Sequence, residues 1–185
     1  FQNVSFIWED CLKVNLGELI KNEFDGMNVS VAANLPYYIT TPIIMNLLEG
    51  GLPFKKIVVM IQKEVADRLL TDPGKKDYGA ITVSLNYYGA VRNAFIVPRH
   101  MFVPQPDVDS AVVDIKPWVE KPIVAQDEDL FHKVVKAAFG QRRKTLNNAL
   151  KVLGYDNAII QEAMAQCDIE GTRRGETLSV AEFVA

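Results

Sequence analysis

The residues best suited to chemistry form one short string, Asn34-Leu35-Pro36-Tyr37, which closes the apolar run Val29–Ala33. Pro36 pushes Leu35 out of the helical region into an extended conformation and brings no N–H of its own. A loop held this way can aim the Leu35 carbonyl and the Asn34 side-chain oxygen at one point. Two convergent acceptors suit an exocyclic amino group, and Tyr37 offers a flat ring on which the attached base can stack. Taken singly, Asn34 reads as a turn or cap residue and Tyr37 as a core or rim aromatic. Asp10, after the run Val4–Trp8, is a further candidate acceptor, with capping of its own turn as the plain alternative. Cys11 and Cys167 lie far apart and match no metal-ligand spacing, so no metal is expected.

Such residues need strands that end beside them. Val4–Trp8, Val29–Asn34 and Lys56–Gln62 read as strands. The first and third are nearly continuous apolar runs, the pattern of parallel strands covered on both faces. Between the second and third, "TTPIIMNLLEGG" reads as a helix: Thr41 can cap it, Pro42 suits its first turn and Gly50-Gly51 ends it. The resulting β-α-β unit implies an α/β fold with a right-handed crossover. Ligands of open α/β sheets bind beyond the carboxyl ends of the strands, where Asp10 and Asn34 both fall. "EVADRLL" reads as a short helix. "AITVSLNYY" has residues that suit a strand, yet a buried helix is expected. "AVRNAFIV" and "SAVVDIKPW", joined by "PRHMFVPQPDVD", read as an antiparallel hairpin at the sheet edge. Beyond a linker at "KPIVAQDEDL", helical patterns cover Asp127–Phe139, Lys144–Leu153 and Asn157–Gln166, with a last one from Ser179. Leu130, Val134, Ala137 and Ala138 fall at helical spacing. The expected organisation is an α/β domain over residues 1–118 and a small all-helical domain over 126–185.

The chain has 185 residues, 49% of them hydrophobic, and a formal net charge of -3. That describes a globular protein and excludes a disordered or fibrous one. No apolar run reaches the ~18 residues of a membrane span and no signal-peptide pattern follows Phe1. With both cysteines read as reduced thiols, a cytoplasmic location is expected. The charge is uneven. Residues 130–155 contain no acidic residue but carry Lys133, Lys136, Arg142, Arg143, Lys144 and Lys151, whereas acidic residues dominate the first fifty. Such asymmetry points to a polyanionic partner, with a solvated helix face as the alternative. Arg142, Arg143 and Lys144 read as the start of a helix, where cations oppose the dipole, so phosphate contact is the better explanation for them.

"NLPY" after a strand resembles the (Asn/Asp/Ser)-Pro-Pro-(Tyr/Phe) type of motif found in S-adenosylmethionine-dependent amino-group methyltransferases. The longer string "NLPYYITTPI" resembles the bacterial small-subunit ribosomal RNA adenine N6,N6-dimethyltransferases. So do "VVMIQKEVADRL", "YGAITVSLNYY", "FVPQPDVDSAVV", "AAFGQRRKTLNNAL" and "RRGETLSVAEF", in the family's order and over almost the whole chain. Erythromycin-resistance methyltransferases share the core but usually carry Ile and Asn where this chain has Leu35 and Tyr38.

The resemblance implies a partial Rossmann-like methyltransferase sheet followed by a helical RNA-binding domain. It implies that Asn34 and the Leu35 carbonyl hold an adenine N6 amino group, with Pro36 shaping the loop, Tyr37 stacking on the base and Phe102 covering its other face. Asp10, with Cys11 beside it and Asn34 nearby, would receive the adenine end of S-adenosylmethionine. Arg142, Arg143 and Lys144 would contact small-subunit ribosomal RNA. Arg99 and His100 flank the Phe102 loop, where a structural role is equally expected, and His132 reads as a helix-surface residue. The family's glycine-rich loop and the acid that ends its second strand have no counterpart before "NLPY". The chain is therefore expected to be a truncated fragment with an incomplete cofactor site and little activity alone. An unpaired sheet edge would then favour association with another copy. Two other readings stay open, an RNA-binding ribosome-assembly factor without catalysis and an amino methyltransferase acting on DNA adenine or protein glutamine.

Overall fold

The computed structural model describes residues 3–185. Its centre is a four-stranded sheet in the order β1-β2-β4-β3, comprising β1 (Val29–Asn34), β2 (Phe54–Gln62), β3 (Gly89–Val97) and β4 (Ser110–Pro117). β1 and β2 are parallel, while β4 runs antiparallel to both β2 and β3. Helix α1 (Leu16–Glu23) precedes the sheet and α2 (Thr40–Glu49) links β1 to β2. Helices α3 (Lys63–Leu69) and α4 (Ala80–Tyr88) link β2 to β3. The helical part follows β4 as α5 (Glu128–Gly140), α6 (Leu146–Leu150), α7 (Asn157–Gln166) and α8 (Val180–Val184). The α/β class, the edge hairpin and the helical C-terminal part are those read from the sequence.

Register decides what meets at the sheet's end. Asn34 lies opposite Met60, Met60 opposite Val112, and Ser110 opposite both Gln62 and Val97. The carboxyl ends of β1, β2 and β3 and the start of β4 therefore share one end of the sheet. The loop after Asn34 and the loop from Pro98 to Asp109 both leave from that end, which is why they can build one site.

The core is one continuous cluster of buried residues. Ile57, Val59 and Ile61 of β2 lie level with Ile115, Val113 and Ala111 of β4, and all six are fully buried. Full burial of an aliphatic side chain of this size is worth about 1.5–3 kcal/mol. The opposite face is only half covered at Val58, Met60 and Val112. The apolar run of β2 thus belongs to a strand buried on one face among the described residues, not on both as its composition predicts.

Helix α4 forms from residues with strand propensity because packing encloses it on several sides. It touches α2, α3, α5, α8 and β3, and Thr82, Val83, Leu85, Tyr87 and Tyr88 are buried. The hydroxyl of its fully buried Thr82 has a partner, since Thr82 Oγ1 donates to the Arg68 carbonyl at 2.9 Å. The helix expected here is present, and tertiary burial overrides the β-preferring composition.

Several expectations need correction. Val4–Trp8 is not a strand. It pairs with nothing in the sheet, and Phe6 and Trp8 are 80% and 94% exposed, so its apolar run finds no neighbour to bury against among the described residues. Thr41 is not the cap of α2. Ile39 holds that position, and the buried Thr40 hydroxyl donates to the Pro36 carbonyl at 3.1 Å. The third helix begins at Lys63 rather than Glu64. In α5, Leu130 is exposed and Phe131 takes its place in the core with Val135, Ala137 and Ala138.

His132 is not a free surface residue. Its Nε2 lies 2.8 Å from the Tyr88 hydroxyl, and the two rings stack at 5.8 Å. The same junction joins α4 to α5. Glu128 accepts from Tyr87 at 2.9 Å, from Tyr88 at 3.3 Å and from the Lys121 ammonium, which also lies over both tyrosine rings. Lys121, followed by the tyrosine hydroxyls, holds the Glu128 carboxyl below its ordinary range, against some desolvation. Burial, followed by the Glu128 charge, pushes the Tyr88 phenol up. Both cysteines are free thiols.

Candidate active site and nucleic-acid face

The chain leaves β1 with its ladder intact for one more residue. The Leu35 N–H donates to the Met60 carbonyl at 3.1 Å, and the Leu35 side chain is buried. Extended backbone before Pro36 then gives way to a tight turn, in which Ile39 N–H and the Thr40 hydroxyl both donate to the Pro36 carbonyl. These bonds occupy the carbonyl after Leu35. Among the described residues nothing donates to the Leu35 carbonyl or to the exposed Asn34 side chain. Two acceptors are thus left open side by side on a loop that is itself tied down.

Tyr37 is held at its far end. Its hydroxyl and that of Ser110 share a hydrogen bond of 2.9 Å, and Ser110 is 1% exposed. The ring is therefore fixed by the first residue of β4. The facing loop is pinned independently. Asp109 Oδ1 accepts from the Arg99 N–H at 2.8 Å, the Asp109 carbonyl accepts from the Lys63 N–H at 2.9 Å, and the Arg99 guanidinium donates to the Asp107 carbonyl. Arg99 thus has a structural role in carrying Phe102. Between the two loops lies a cavity of about 350 Å³, walled by Asn34, Leu35, Pro36, Tyr37, Phe102, Pro104 and Pro106. A space of that size and shape, with two open acceptors at one end and aromatic rings beside it, can take a flat heterocycle bearing an amino group.

Five of the residues picked from the sequence therefore come together. Asp10 and Cys11 do not join them in the cavity wall. Asp10 Oδ1 accepts from the Leu12 N–H at 3.0 Å and its carbonyl accepts from Lys13 N–H, so it caps its own turn. Its second carboxylate oxygen has no partner among the described residues and keeps the chemistry needed to accept from an amine. Ser110, Pro104, Pro106 and Asp109 were not singled out in the sequence. A polar residue opening an otherwise apolar strand, as Ser110 does before "AVV", is the signal that points to it.

A larger hollow of about 600 Å³ lies on the half-covered sheet face, beside Lys56, Arg92 and Asp114. It is remote from the aromatic cavity in the sheet register. Burial alone would raise the Asp114 pKa, but bonds to Arg92 and Lys56 outweigh it and lower it. Lys56 at 3.1 Å and Arg92 at 2.6 Å share its Oδ2, which makes this an ion-paired structural cluster.

The basic string sits differently from its sequence reading. Arg142, Arg143 and Lys144 lie in a turn just past the carboxyl end of α5, and α6 starts only at Leu146. Cations there favour the α5 dipole instead of opposing it. Arg142 is also engaged: its guanidinium donates to the Lys76 and Tyr78 carbonyls and lies 3.6 Å from Glu176 Oε2. Arg143 and Lys144 are exposed and have no side-chain partner among the described residues. No helix among those residues is long and apolar enough to cross a membrane, and they hold no cluster of metal-ligating side chains.

The sequence model of the family described as "Ribosomal RNA adenine dimethylase" matches residues 1–185. A protein of Clostridioides difficile (strain 630), "Ribosomal RNA small subunit methyltransferase A", is 49% identical over 98% of this chain and 63% of its own length. The protein of the same description from Bacillus pumilus (strain SAFR-032) is 46% identical over 99% of this chain and 64% of its own. The chain thus spans slightly under two thirds of the length of these curated relatives. Among solved structures, a dimethyladenosine transferase from Plasmodium falciparum superposes with a TM-score of 0.74 at 25% identity, over 89% of this chain and 66% of that one. The 23S rRNA methyltransferase ErmE shares the fold, with a TM-score of 0.63 at 18% identity over 96% of this chain and 68% of that one. On the match over its whole length, the chain belongs to the ribosomal RNA adenine dimethylase family.

Proposed function

We propose that the protein transfers methyl groups from S-adenosylmethionine to the N6 amino group of adenine in small-subunit ribosomal RNA, twice in succession. The observation that carries this reading is the pair of open acceptors, Asn34 Oδ1 and the Leu35 carbonyl, at the mouth of a cavity walled by Tyr37 and Phe102. The N6 lone pair of adenine is delocalised into the ring and is a poor nucleophile. Acceptors for the N6–H bonds favour the positive charge that develops on nitrogen and the geometry in which the lone pair is available. Tyr37 and Phe102 hold the ring from its faces, so the amine is presented in one orientation. The base must leave its stack to enter such a cavity. S-adenosylmethionine supplies a methyl group already activated by a sulfonium. Asp10, through its unpartnered carboxylate oxygen, with Cys11 and Asn34, would hold that molecule. Residues 126–185 form the RNA-facing part, with Arg143 and Lys144 available to phosphates.

The test is methyl incorporation into immature small ribosomal subunits, followed by identification of the modified nucleoside. Transfer to adenine N6 is expected, and Asn34→Ala should lower it about 10²-fold with RNA binding and thermal stability unchanged, because the side chain is exposed and holds nothing else. Methylation untouched by that change contradicts the assignment of Asn34. RNA binding without methylation in the unaltered protein favours an assembly factor instead.

A further inference from the structure

Granted an RNA partner, we infer that the RNA-facing surface is not confined to the helical part. It takes in Lys75 and Lys76, on the loop between α3 and α4, and Arg142 is the internal brace that holds the two basic segments together. The loop 71–79 is pinned against the helical part at two levels. The Gly74 N–H donates to the Glu176 carbonyl at 2.7 Å, and the Arg142 guanidinium donates to the carbonyls of Lys76 and Tyr78. Tyr78 secures the base of the loop, where its buried hydroxyl donates to the Leu178 carbonyl at 2.9 Å. One guanidinium thus spans from the turn after α5 to the backbone of Lys76, which brings Lys75 and Lys76 beside Arg143 and Lys144.

All four of these side chains are exposed, and none has an ion-pair or hydrogen-bond partner among the described residues. Glu176 is taken up by Arg142. Asp72 and Asp77 equal Lys75 and Lys76 in number on the loop, so the net positive charge of the joint face comes from Arg143 and Lys144. Four unpaired cations from two parts of the molecule match the extended charge of a nucleic-acid backbone. The hollow of about 360 Å³ beside them is lined by Arg142, Arg143 and Lys144 but by neither Lys75 nor Lys76, so a small anion seated there would not engage all four. The arrangement also separates two roles that the string "QRRK" blurs. Arg143 and Lys144 are phosphate contacts, whereas Arg142 is a positioning residue, its Nη2 donating to two protein carbonyls beside Glu176.

The test is the salt dependence of binding to a fluorescein-labelled RNA hairpin, followed by anisotropy. Each phosphate contact contributes roughly 0.7–0.9 to the slope of log K against log salt. The double variant Lys75→Ala/Lys76→Ala should therefore lower the slope by roughly 1.4–1.8, as should Arg143→Ala/Lys144→Ala, while Lys21→Ala on α1 leaves it unchanged. Arg142→Lys keeps the charge but removes the planar guanidinium whose Nη2 reaches both loop carbonyls, so it should weaken binding and speed amide exchange across residues 71–79. A Lys75/Lys76 variant with the wild-type slope overturns the extended surface alone. Wild-type binding and loop exchange in Arg142→Lys overturn the brace. Absence of any salt-dependent RNA binding by the unaltered protein overturns this inference together with the RNA partner itself.

Discussion

At the scale of single residues, the candidate site is defined by which polar atoms are satisfied and which are left open. Pro36 and Tyr37 have their carbonyls drawn into the turn by Thr40, while the Leu35 carbonyl and the Asn34 amide keep their capacity to accept. Tyr37 is fixed through Ser110, and the two roles of its side chain can be separated. Tyr37→Phe keeps the ring but leaves the buried Ser110 hydroxyl without its partner. We expect a loss of about 1–3 kcal/mol, read by urea unfolding, with base stacking retained. Unchanged stability would show that Ser110 finds another partner. The open acceptors were legible from "NLPY" alone, because proline chemistry constrains the loop locally. Ser110 was not, since its bond spans 73 positions of sequence and only the register of β4 brings it to Tyr37.

At the scale of elements, what could be read was what each segment dictates for itself. The helices from Asp127 and Ser179 start within a residue of their expected positions because both residues are true side-chain caps, while the helix at Asn157 starts there without one. The failures are of the opposite kind. Val4–Trp8 has strand composition but no pairing partner among the described residues, and Arg142–Lys144 falls in a turn because the helix expected from Lys144 starts only at Leu146, with Thr145 at its N-cap position. Helix α8 shows how a local cap becomes a tertiary lock. Glu182 accepts from the Ser179 N–H and hydroxyl and pairs with Arg173. Chiefly through Arg173, and then through Ser179, its pKa falls from an ordinary 4.5 to about 2. A carboxyl depressed on folding stabilises the fold fully above its ordinary pKa, and that contribution is lost as the pH drops from about 4.5 through about 2. Glu182→Gln should therefore cost about 1 kcal/mol at neutral pH, after allowance for solvent screening of a part-exposed pair. Its stability should also fall less between pH 5 and pH 2 than that of the unaltered protein. Equal pH profiles for the two proteins would contradict the coupling.

At the scale of the whole molecule, the sheet's end gathers four strand ends and two pinned loops around one aromatic cavity. A junction of Tyr87, Tyr88, Lys121, Glu128 and His132 fastens the helical part to α4. The grip of Asn34 and the Leu35 carbonyl on an exocyclic amine can be measured by comparing adenosine with inosine, which lacks that amine. In an NMR titration following the Asn34 side-chain amide and the Tyr37 ring, adenosine should shift both signals. Inosine at the same concentration should leave the Asn34 amide in place, and Asn34→Ala should reduce the preference between the two to what the Leu35 carbonyl alone supplies. Equal shifts with adenosine and inosine, or a preference undiminished by Asn34→Ala, would contradict this grip.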